Sequence, residues 1–205
     1  MIVVIDYNVG NVKSVCNALR HIGCAVELSR DPALIESATG LILPGVAAFG
    51  YAMEALGSAA GLVKQAVAAG TPILGICVGY QMLFDRSSEY GPHQGLGLVQ
   101  GEVVPIPPGQ TVPHMGWNFV ELPEDMELFS DLGKAKHFYF AHSYHAQVRD
   151  DQAKIAHTDY GFALAASVQK DNVYGVQFHP EKSGKQGLKL LQNFYDICSR
   201  RASVC

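Results

Sequence analysis

Side chains that together can cleave an amide occur in two short segments far apart in the chain. Cys77 lies in Gly75-Ile76-Cys77-Val78-Gly79, a G-x-C-x-G pattern with the shape of a nucleophile elbow in which cysteine replaces serine. The apolar run before it predicts a buried strand, and we expect an amphipathic helix after it. The two glycines are expected to allow the sharp turn and to leave room for a substrate. Cys77 would then stand at a helix N-terminus, where the dipole favours the nucleophilic thiolate; the alternative is a small buried side chain.

The second segment is Gln177-Phe178-His179-Pro180-Glu181, which follows an apolar, strand-like run. Pro180 disfavours the helical region for His179 and keeps it extended. Side chains two positions apart on an extended segment point to the same side. We therefore expect His179 and Glu181 to face one cleft as a base and the carboxylate that orients it. With Cys77 they would form a catalytic triad.

Attack of a thiolate on an amide carbonyl also needs donors for the developing oxyanion. By the logic of the elbow, the backbone N–H of Val78 is one donor. The segment Pro44-Gly45-Val46-Ala47-Ala48-Phe49 follows another predicted strand and is the best candidate for the second donor. The alternative for this segment is an ordinary Pro-Gly turn.

Alternating apolar runs and helical patterns in the first half predict the frame that positions these residues. They indicate a doubly wound, mainly parallel α/β sheet, with the loops 6–11, 44–49 and 77–79 gathered at the carboxyl edge of the strands. The second half predicts added antiparallel strands, and an amphipathic helix closes the chain. The predicted strands are 2–5, 25–28, 41–43, 73–76, 98–106, 117–122, 138–144, 155–157, 163–169 and 173–178, and the predicted helices include 12–22, one beginning at Pro32, 51–69 and 185–198.

Composition sets limits on the class of protein. The chain has 205 residues and a net charge of −4, which gives no basic footprint for nucleic acid. The five cysteines, Cys16, Cys24, Cys77, Cys198 and Cys205, are odd in number and far apart, which argues against a disulfide framework. No signal peptide and no membrane span is recognisable. We expect one domain over residues 1–205, in the cytoplasm.

Taken together, the segments 75–81 and 177–181 resemble the class I (triad) glutamine amidotransferases, and the resemblance extends over nearly the full chain. It implies an α/β sheet with the cysteine at an elbow and L-glutamine as the substrate. The cysteine would take the γ-glutamyl group, ammonia would leave, and water would free glutamate. No cofactor is expected.

Further segments narrow the resemblance to the glutaminase subunits of imidazole glycerol phosphate synthases, which act in histidine biosynthesis. These segments are Asn8–Asn11, the Pro-Gly-Val loop, Pro113-His114-Met115-Gly116-Trp117-Asn118, Tyr139-Phe140-Ala141-His142-Ser143-Tyr144 and His179-Pro180-Glu181-Lys182-Ser183. The resemblance implies that Gly45 and Val46 join Val78 in the oxyanion hole. It also implies two other sets of residues. The glutamine pocket would include Gly79, Gln81, Glu89, Ser143 and Tyr144, and a partner interface would include Asn11, Trp117, Asn118 and Lys182.

The implied partner is a cyclase subunit with a (β/α)8 barrel, which would form a heterodimer with this chain. Ammonia would cross the barrel and react with a phosphoribulosyl nucleotide, giving imidazole glycerol phosphate and aminoimidazole carboxamide ribotide. Independently of the resemblance, Trp117 is the only tryptophan, stands among glycine and polar residues, and is of the type that anchors interfaces. Its alternative is a place in the core.

The sequence departs from the family pattern at the oxyanion loop, where Ala47 replaces the usual glycine. Glycine reaches positive φ freely and alanine does not, so Ala47 is expected to slow activation without abolishing it. Val78 and Tyr80 replace the more usual Leu and Met, and little effect is expected from either.

Other interpretations remain at this stage. The chain could be the glutaminase of a different synthase, although the Trp117 segment argues against this. It could be a non-catalytic regulatory module, although the intact triad argues against that. It could also be a cysteine peptidase or chaperone-like relative with the same elbow, which would give no reason for Gln81, Glu89 and the His-Pro-Glu strand together. A metal site at His137, His142 and His145 is not expected, because along one strand His142 faces away from the other two.

Overall fold

Strands and helices alternate along the first half of the chain, and strands dominate the second half. The strands are β1 Ile2–Ile5, β2 Val26–Ser29, β3 Gly40–Gly45, β4 Ile73–Cys77, β5 Phe84–Ser87, β6 His93–Gln94, β7 Val99–Pro105, β8 His114–Glu121, β9 Ala135–His142, β10 Tyr144–Val148, β11 Lys154–Asp159, β12 Ala163–Lys170 and β13 Val173–Val176. The helices are α1 Val12–His21, α2 Pro32–Glu36, α3 Phe49–Leu56, α4 Ala59–Ala68, α5 Val78–Met82 and α6 Gly184–Ala202, with 3-10 turns at Glu127–Phe129 and Pro180–Lys182.

In the computed structural model, which describes residues 1–202 apart from the side chains of Ala135, Arg201 and Ala202, nine strands form one sheet. Their order is β2-β1-β3-β4-β13-β12-β11-β8-β9. The pairs from β2 to β13 are parallel, and the pairs from β13 to β9 are antiparallel. A smaller sheet has the order β10-β7-β5-β6. The expected α/β class, a mainly parallel core with added antiparallel strands, is confirmed.

Helices cover both faces of the parallel strands, because successive side chains of a strand point to opposite faces. On β1, Ile2 and Val4 belong to the core that includes α1 and α6, whereas Val3 and Ile5 belong to the core that includes α3 and α4. All four side chains are fully buried. The continuous apolar run of β1 is therefore the signature of a strand that is covered on both sides.

The loops that follow β1 and β3 meet at the carboxyl edge of the sheet, as expected. A Cβ atom added to Gly10 would lie 3.0 Å from the Cα of Gly45 and 3.1 Å from the backbone nitrogen of Val46. Gly45 is paired with Cys77 in the register of β3 and β4. The parallel topology thus brings the loop at residues 6–11, the Pro44 loop and the elbow to one place.

Several boundaries differ from the sequence predictions. The single helix predicted at residues 51–69 is two helices, α3 and α4, because Gly57 has φ 51° and ends α3. The strand predicted at residues 138–144 is divided at Ser143 into β9 and β10, which belong to different sheets. Strands β5 and β6 were missed, since two residues of β6 and the two exposed central residues of β5 give no apolar pattern.

Cys16, Cys24 and Cys77 are free and buried, Cys198 is also buried, and Cys205 lies outside the described residues. Within residues 1–202, no helix is both long and apolar enough to span a bilayer.

Candidate active site

Cys77 occupies the turn between β4 and α5 with a backbone that side chains other than glycine rarely adopt. Its dihedral angles are φ 56° and ψ −109°. Such a conformation in a non-glycine residue costs on the order of 1–3 kcal/mol and persists only where the surroundings impose it. The sharp elbow predicted from G-x-C-x-G is therefore present, and its strain lies at Cys77 itself.

The glycines of the elbow have a different function from the one expected. A Cβ atom on Gly79 would lie 1.7 Å from the carbonyl oxygen of Leu43, and one on Gly75 would lie 2.6 Å from the carbonyl oxygen of Gly79. Both glycines allow α5 to pack directly on β3 and β4, and neither leaves room for a substrate. The helix α5 is also short and fully buried, so the expectation of an amphipathic helix was wrong.

His179 and Glu181 are in direct contact, as the sequence predicted. The Nδ1 of His179 lies 2.8 Å from the Oε1 of Glu181, and both side chains are almost fully buried. His179 is extended, with φ −101° and ψ 96°, but Glu181 lies in the 3-10 turn that begins at Pro180 and not on a continued strand. The Nε2 of His179 has no hydrogen-bond partner among the described residues, so this atom remains available to a reacting group.

The surroundings of His179 favour its protonated form. Burial lowers the pKa of His179, but the Cys77 sulfur and the Glu181 carboxylate together outweigh burial and raise that pKa from 6.5 to about 9. His179 is therefore protonated at neutral pH. A protonated imidazole can serve as the proton donor that nucleophilic catalysis by cysteine requires.

A cavity of about 400 Å³ opens beside Cys77 and is large enough for an amino acid. Its wall consists of Val46, Ala47, Ala48, Cys77, Val78, Gln81, Glu89, Tyr90, Pro113, Met115, Ala141, His142, Ser143 and Tyr144. Of the residues expected in a glutamine pocket, Gln81, Glu89, Ser143 and Tyr144 line this cavity. Gly79 does not, because it packs against Leu43 behind the wall.

Polar groups of the cavity wall are fixed by hydrogen bonds. The Nε2 of Gln81 donates to the carbonyl oxygen of Tyr144 at 2.9 Å. The Oε2 of Glu89 accepts from the backbone N–H of Phe49 at 2.7 Å, at the start of α3. Glu89 thus holds the end of the segment 44–49 while its carboxylate faces the cavity.

The candidate oxyanion loop contacts both the elbow at Val78 and the Tyr7 side chain. Val46 and Val78 line the cavity, whereas Gly45 lies beneath them, where an added Cβ would lie 2.8 Å from the hydroxyl oxygen of Tyr7. The Tyr7 hydroxyl donates a hydrogen bond to the carbonyl oxygen of Pro44. The sequence did not single out Tyr7, which supports this loop from the loop at residues 6–11.

Of the residues expected at a partner interface, Trp117 lies on the outer side of β8 and Lys182 lies close to the neighbouring strand β9, whereas the side chain of Asn118 is on the opposite face of β8 and bonds to His114 and Asp159. Trp117 is 54% exposed, which excludes the alternative of a core position. Its ring makes an edge contact with Tyr139 on β9 at 6.1 Å, and the Lys182 ammonium lies 5.8 Å from the centre of the same Tyr139 ring. Asn118 is half-buried and Asn11 is exposed at the N-cap of α1.

A buried pair of histidines, of which His142 lines the cavity, was not predicted from the sequence. The Nδ1 of His114 lies 2.9 Å from the Nε2 of His142, and the Nδ1 of His142 lies 2.8 Å from the carbonyl oxygen of Tyr144. His137, His142 and His145 were expected on one strand, whereas Ser143 separates β9 from β10. The alternation of β8, in which His114 and Val120 point inward, could have indicated a buried histidine there. No cluster of metal-ligating side chains was found among the described residues.

Comparison with known proteins agrees with this geometry. The family model for glutamine amidotransferase class-I matches residues 3–198. The imidazole glycerol phosphate synthase subunit HisH of Methanothermobacter thermautotrophicus is 45% identical over 96% of this chain and 98% of that protein. The subunit of the same name from Lacticaseibacillus casei is 47% identical over 98% of each chain.

Solved structures share the fold at lower identity. The structure of PurLQS from Thermotoga maritima gives a TM-score of 0.77 at 21% identity, covering 96% of this chain and 97% of that one. A glutamine amidotransferase from Thermotoga maritima gives a TM-score of 0.64 at 16% identity, covering 98% and 84%. At this identity the likeness concerns the fold alone. From the family model and the HisH relatives it follows that the chain is an enzyme of the class-I glutamine amidotransferase family, within the group of HisH subunits.

Proposed function

We propose that this chain hydrolyses L-glutamine to glutamate and ammonia with Cys77 as nucleophile, His179 as acid and base, and Glu181 as the group that orients His179. The observation that carries the proposal is the arrangement around His179. Its Nδ1 is bonded to Glu181, its Nε2 has no partner among the described residues, and its pKa is raised by Cys77. All of residues 1–205 would form one glutamine amidotransferase domain.

The first half of the reaction transfers the γ-glutamyl group. The Cys77 thiolate attacks the side-chain carbonyl carbon of glutamine, and the carbonyl oxygen takes up negative charge. The N–H of Val78 and an N–H of the segment at Gly45 and Val46 would stabilise this charge. His179 then gives its Nε2 proton to the amide nitrogen, the C–N bond breaks, ammonia leaves, and a thioester remains on Cys77.

The second half restores the enzyme. Neutral His179 removes a proton from a water molecule, and the resulting hydroxide attacks the thioester carbon. The C–S bond breaks, glutamate leaves, and the thiolate and imidazolium are both regenerated. Glu181 stabilises the imidazolium and holds the ring in one orientation throughout.

The cavity wall supports glutamine as the substrate. Glu89 offers a carboxylate to the substrate ammonium group, and the backbone of Ser143 and Tyr144 offers polar groups along the chain of the amino acid. Gln81 lies in the cavity wall and donates a hydrogen bond to the Tyr144 carbonyl oxygen. A pocket with a few convergent polar groups is typical of small-molecule sites.

An exposed apolar stripe on β8 supports the proposal that this chain binds a partner subunit. Met115, Trp117 and Phe119 are 64%, 54% and 48% exposed and alternate on one side of the strand. Apolar groups exposed side by side mark protein–protein contact sites. Met115 also lines the cavity, so the stripe begins at the mouth of the site. We propose that this stripe, with Asn11, Asn118 and Lys182, receives the cyclase.

The partner would be a cyclase with a (β/α)8 barrel, forming a heterodimer in the cytoplasm and receiving ammonia without loss to bulk water. The synthase would then make imidazole glycerol phosphate and aminoimidazole carboxamide ribotide in histidine biosynthesis. The names of the relatives, imidazole glycerol phosphate synthase subunit HisH, support this assignment.

The test is glutamate release by the purified chain, alone and with a cyclase subunit that carries its nucleotide ligand. We expect low activity alone, a large increase with the liganded cyclase, and none in Cys77→Ala. Equal hydrolysis with and without the partner would contradict coupling to the cyclase. Glutamate release by Cys77→Ala at the wild-type rate would contradict the triad.

A further inference from the structure

Gln177 is a buried polar side chain that contacts the nucleophile and is not used in the proposed mechanism. Its side chain is fully buried in the segment between β13 and His179. Its Oε1 accepts from the Nε2 of Gln81 at 3.0 Å, and its Nε2 lies 3.9 Å from the sulfur of Cys77. A buried amide with both ends engaged has a defined orientation, which its partners determine.

The Tyr144 carbonyl determines which end of the Gln177 amide faces Cys77. A backbone carbonyl can only accept, so the group of Gln81 that meets it must be the NH₂ group. The same Nε2 also meets Gln177, which must therefore present its oxygen to Gln81. The NH₂ group of Gln177 is left to face the sulfur and donates towards it.

A second series of hydrogen bonds, which runs from Asn118 through His114 and His142, also ends at the Tyr144 carbonyl oxygen. Because the Tyr144 oxygen only accepts, the Nδ1 of His142 carries a proton, its Nε2 accepts, and the Nδ1 of His114 donates to it. The Nε2 of His114 then accepts from the Nδ2 of Asn118 at 3.3 Å. Asn118 cannot reverse its amide without loss, because its Nδ2 donates to Asp159 and its Oδ1 accepts from Phe119 N–H.

His114 and His142 can keep one direction of hydrogen-bond donation along this series. Burial lowers the pKa of His114 to about 4 and that of His142 to about 3, so both rings are neutral at physiological pH. A neutral imidazole has one donor and one acceptor, as this series of bonds requires. The stacking of His114 between Phe140 and Tyr160 keeps its ring in place.

We propose that Gln177 is a positioning residue for the nucleophile, in that its amide donates to the Cys77 sulfur and is held in that direction by Gln81 and the Tyr144 carbonyl. This inference rests on the proposed function only in taking Cys77 as the reacting group. The bonds through His142 and His114 secure the same carbonyl from the side on which Asn118 lies. An N–H donor stabilises a thiolate and fixes the position of its sulfur relative to the donor.

The experiment compares wild type with Gln177→Met, which keeps the length of the side chain and removes the donor, in the full chain. Ser167→Ala is the control, because Ser167 is fully buried and its hydroxyl donates to the Gly175 carbonyl at 2.8 Å without touching the site. The first readout is the rate constant for alkylation of Cys77 by iodoacetamide at pH 7.5, followed by mass spectrometry of the Cys77 peptide. The second readout is kcat and KM for glutamine with the liganded cyclase, and the third is the melting temperature.

We expect Gln177→Met to lower the alkylation rate and kcat about tenfold, as the loss of one charge-assisted hydrogen bond implies, with KM changed less than about twofold. Ser167→Ala should lower the melting temperature and leave both rates near wild type. If Gln177→Met gives no cooperative melting, Gln177→Asn replaces it, because its shorter side chain withdraws the donor and predicts the same losses.

Two outcomes separate this inference from the proposed function. Wild-type alkylation and kcat in a folded Gln177 variant would overturn the inference and leave the glutaminase proposal intact. A wild-type complex without glutaminase activity would overturn the proposed function, whereas slower alkylation in the Gln177 variant would still support the contact with Cys77.

Discussion

The Nδ1 of His179 and the Oε1 of Glu181 are 2.8 Å apart in a place that water hardly reaches. This contact fixes the tautomer and the orientation of the ring. The proton on Nδ1 is committed to the carboxylate, so chemistry with Cys77 is left to Nε2. Loss of the Glu181 charge should therefore impair the chemical step rather than the binding of glutamine.

Glu181→Gln keeps the size of the side chain and removes its charge. We expect kcat for glutamine hydrolysis in the complex to fall about a hundredfold or more, with KM nearly unchanged, because the imidazolium loses its stabilising partner. Steady-state kinetics at pH 7.5 measure this. Glu124→Gln is the control, since Glu124 is exposed in a 3.9 Å ion pair with Lys134 and should keep full activity. A Glu181→Gln enzyme with wild-type kcat would contradict the role of this carboxylate.

The raised pKa of His179 predicts a pH-dependent contribution to stability. Because the pKa is about 9 in the folded chain and about 6.5 unfolded, protonation favours the folded state by roughly 3 kcal/mol. This contribution is full below pH 6.5, decreases above it and is absent above about pH 9. Urea unfolding of wild type and His179→Gln at pH 6 and pH 9.5 measures it. A stability difference that does not shrink at pH 9.5 would contradict the raised pKa.

The buried histidine pair predicts the opposite dependence in acid. Burial lowers the pKa of His114 to about 4 and that of His142 to about 3, so the unfolded chain takes up protons first. Stability is therefore lost as pH falls from about 6.5 towards 4. We expect His142→Asn to lose less stability than wild type between pH 7 and pH 4.5 in urea unfolding. The exposed His157→Asn should behave as wild type, and equal pH slopes for all three proteins would count against the neutral pair.

Ala47 lines the cavity within the candidate oxyanion loop. If the loop must reach positive φ when the partner is occupied, alanine opposes that change by about 1 kcal/mol or more relative to glycine. Ala47→Gly should then raise kcat of the activated complex about fivefold. For each protein, the kcat of the activated complex is compared with the kcat measured without the partner. Unchanged activated kcat would show that the loop does not need this freedom.

Trp117 is the largest side chain of the exposed stripe on β8, and truncation should weaken docking. We expect Trp117→Ala to raise the Kd for the cyclase by tenfold or more, about 1.4 kcal/mol, as for a buried aromatic anchor. Calorimetric titration of the two subunits measures it. The melting temperature of the isolated chain should not fall, because Trp117 is more than half exposed. An unchanged Kd would remove this stripe from the docking face.

The sequence predicted the parts of the site that local pattern determines. The apolar run before Cys77, the turn at the elbow and the proximity of His179 and Glu181 depend on residues near each other in the chain. Asp31 followed by Pro32 likewise predicted the start of α2, where the Asp31 carboxylate accepts from the N–H of Ala33. Strand pairing then brought the predicted loops together, as parallel topology requires.

What escaped prediction depends on contacts between distant segments. The glycines at positions 75 and 79 are needed for packing against neighbouring strands and not for their conformational freedom. The orientation of Gln177 depends on Tyr144 through Gln81, three positions that only the fold brings together. His114 and His142 became neighbours through the register of β8 and β9, in which they are directly paired.

The most direct test of Cys77 as the nucleophile is to detect its covalent intermediate. The complex with the liganded cyclase is mixed with glutamine, quenched in acid within one turnover, digested and examined by mass spectrometry. We predict a γ-glutamyl thioester on the Cys77 peptide that is absent in Cys77→Ser and accumulates in Glu181→Gln. Glutamate release without any adduct on Cys77, or with an adduct on another residue, would contradict the mechanism.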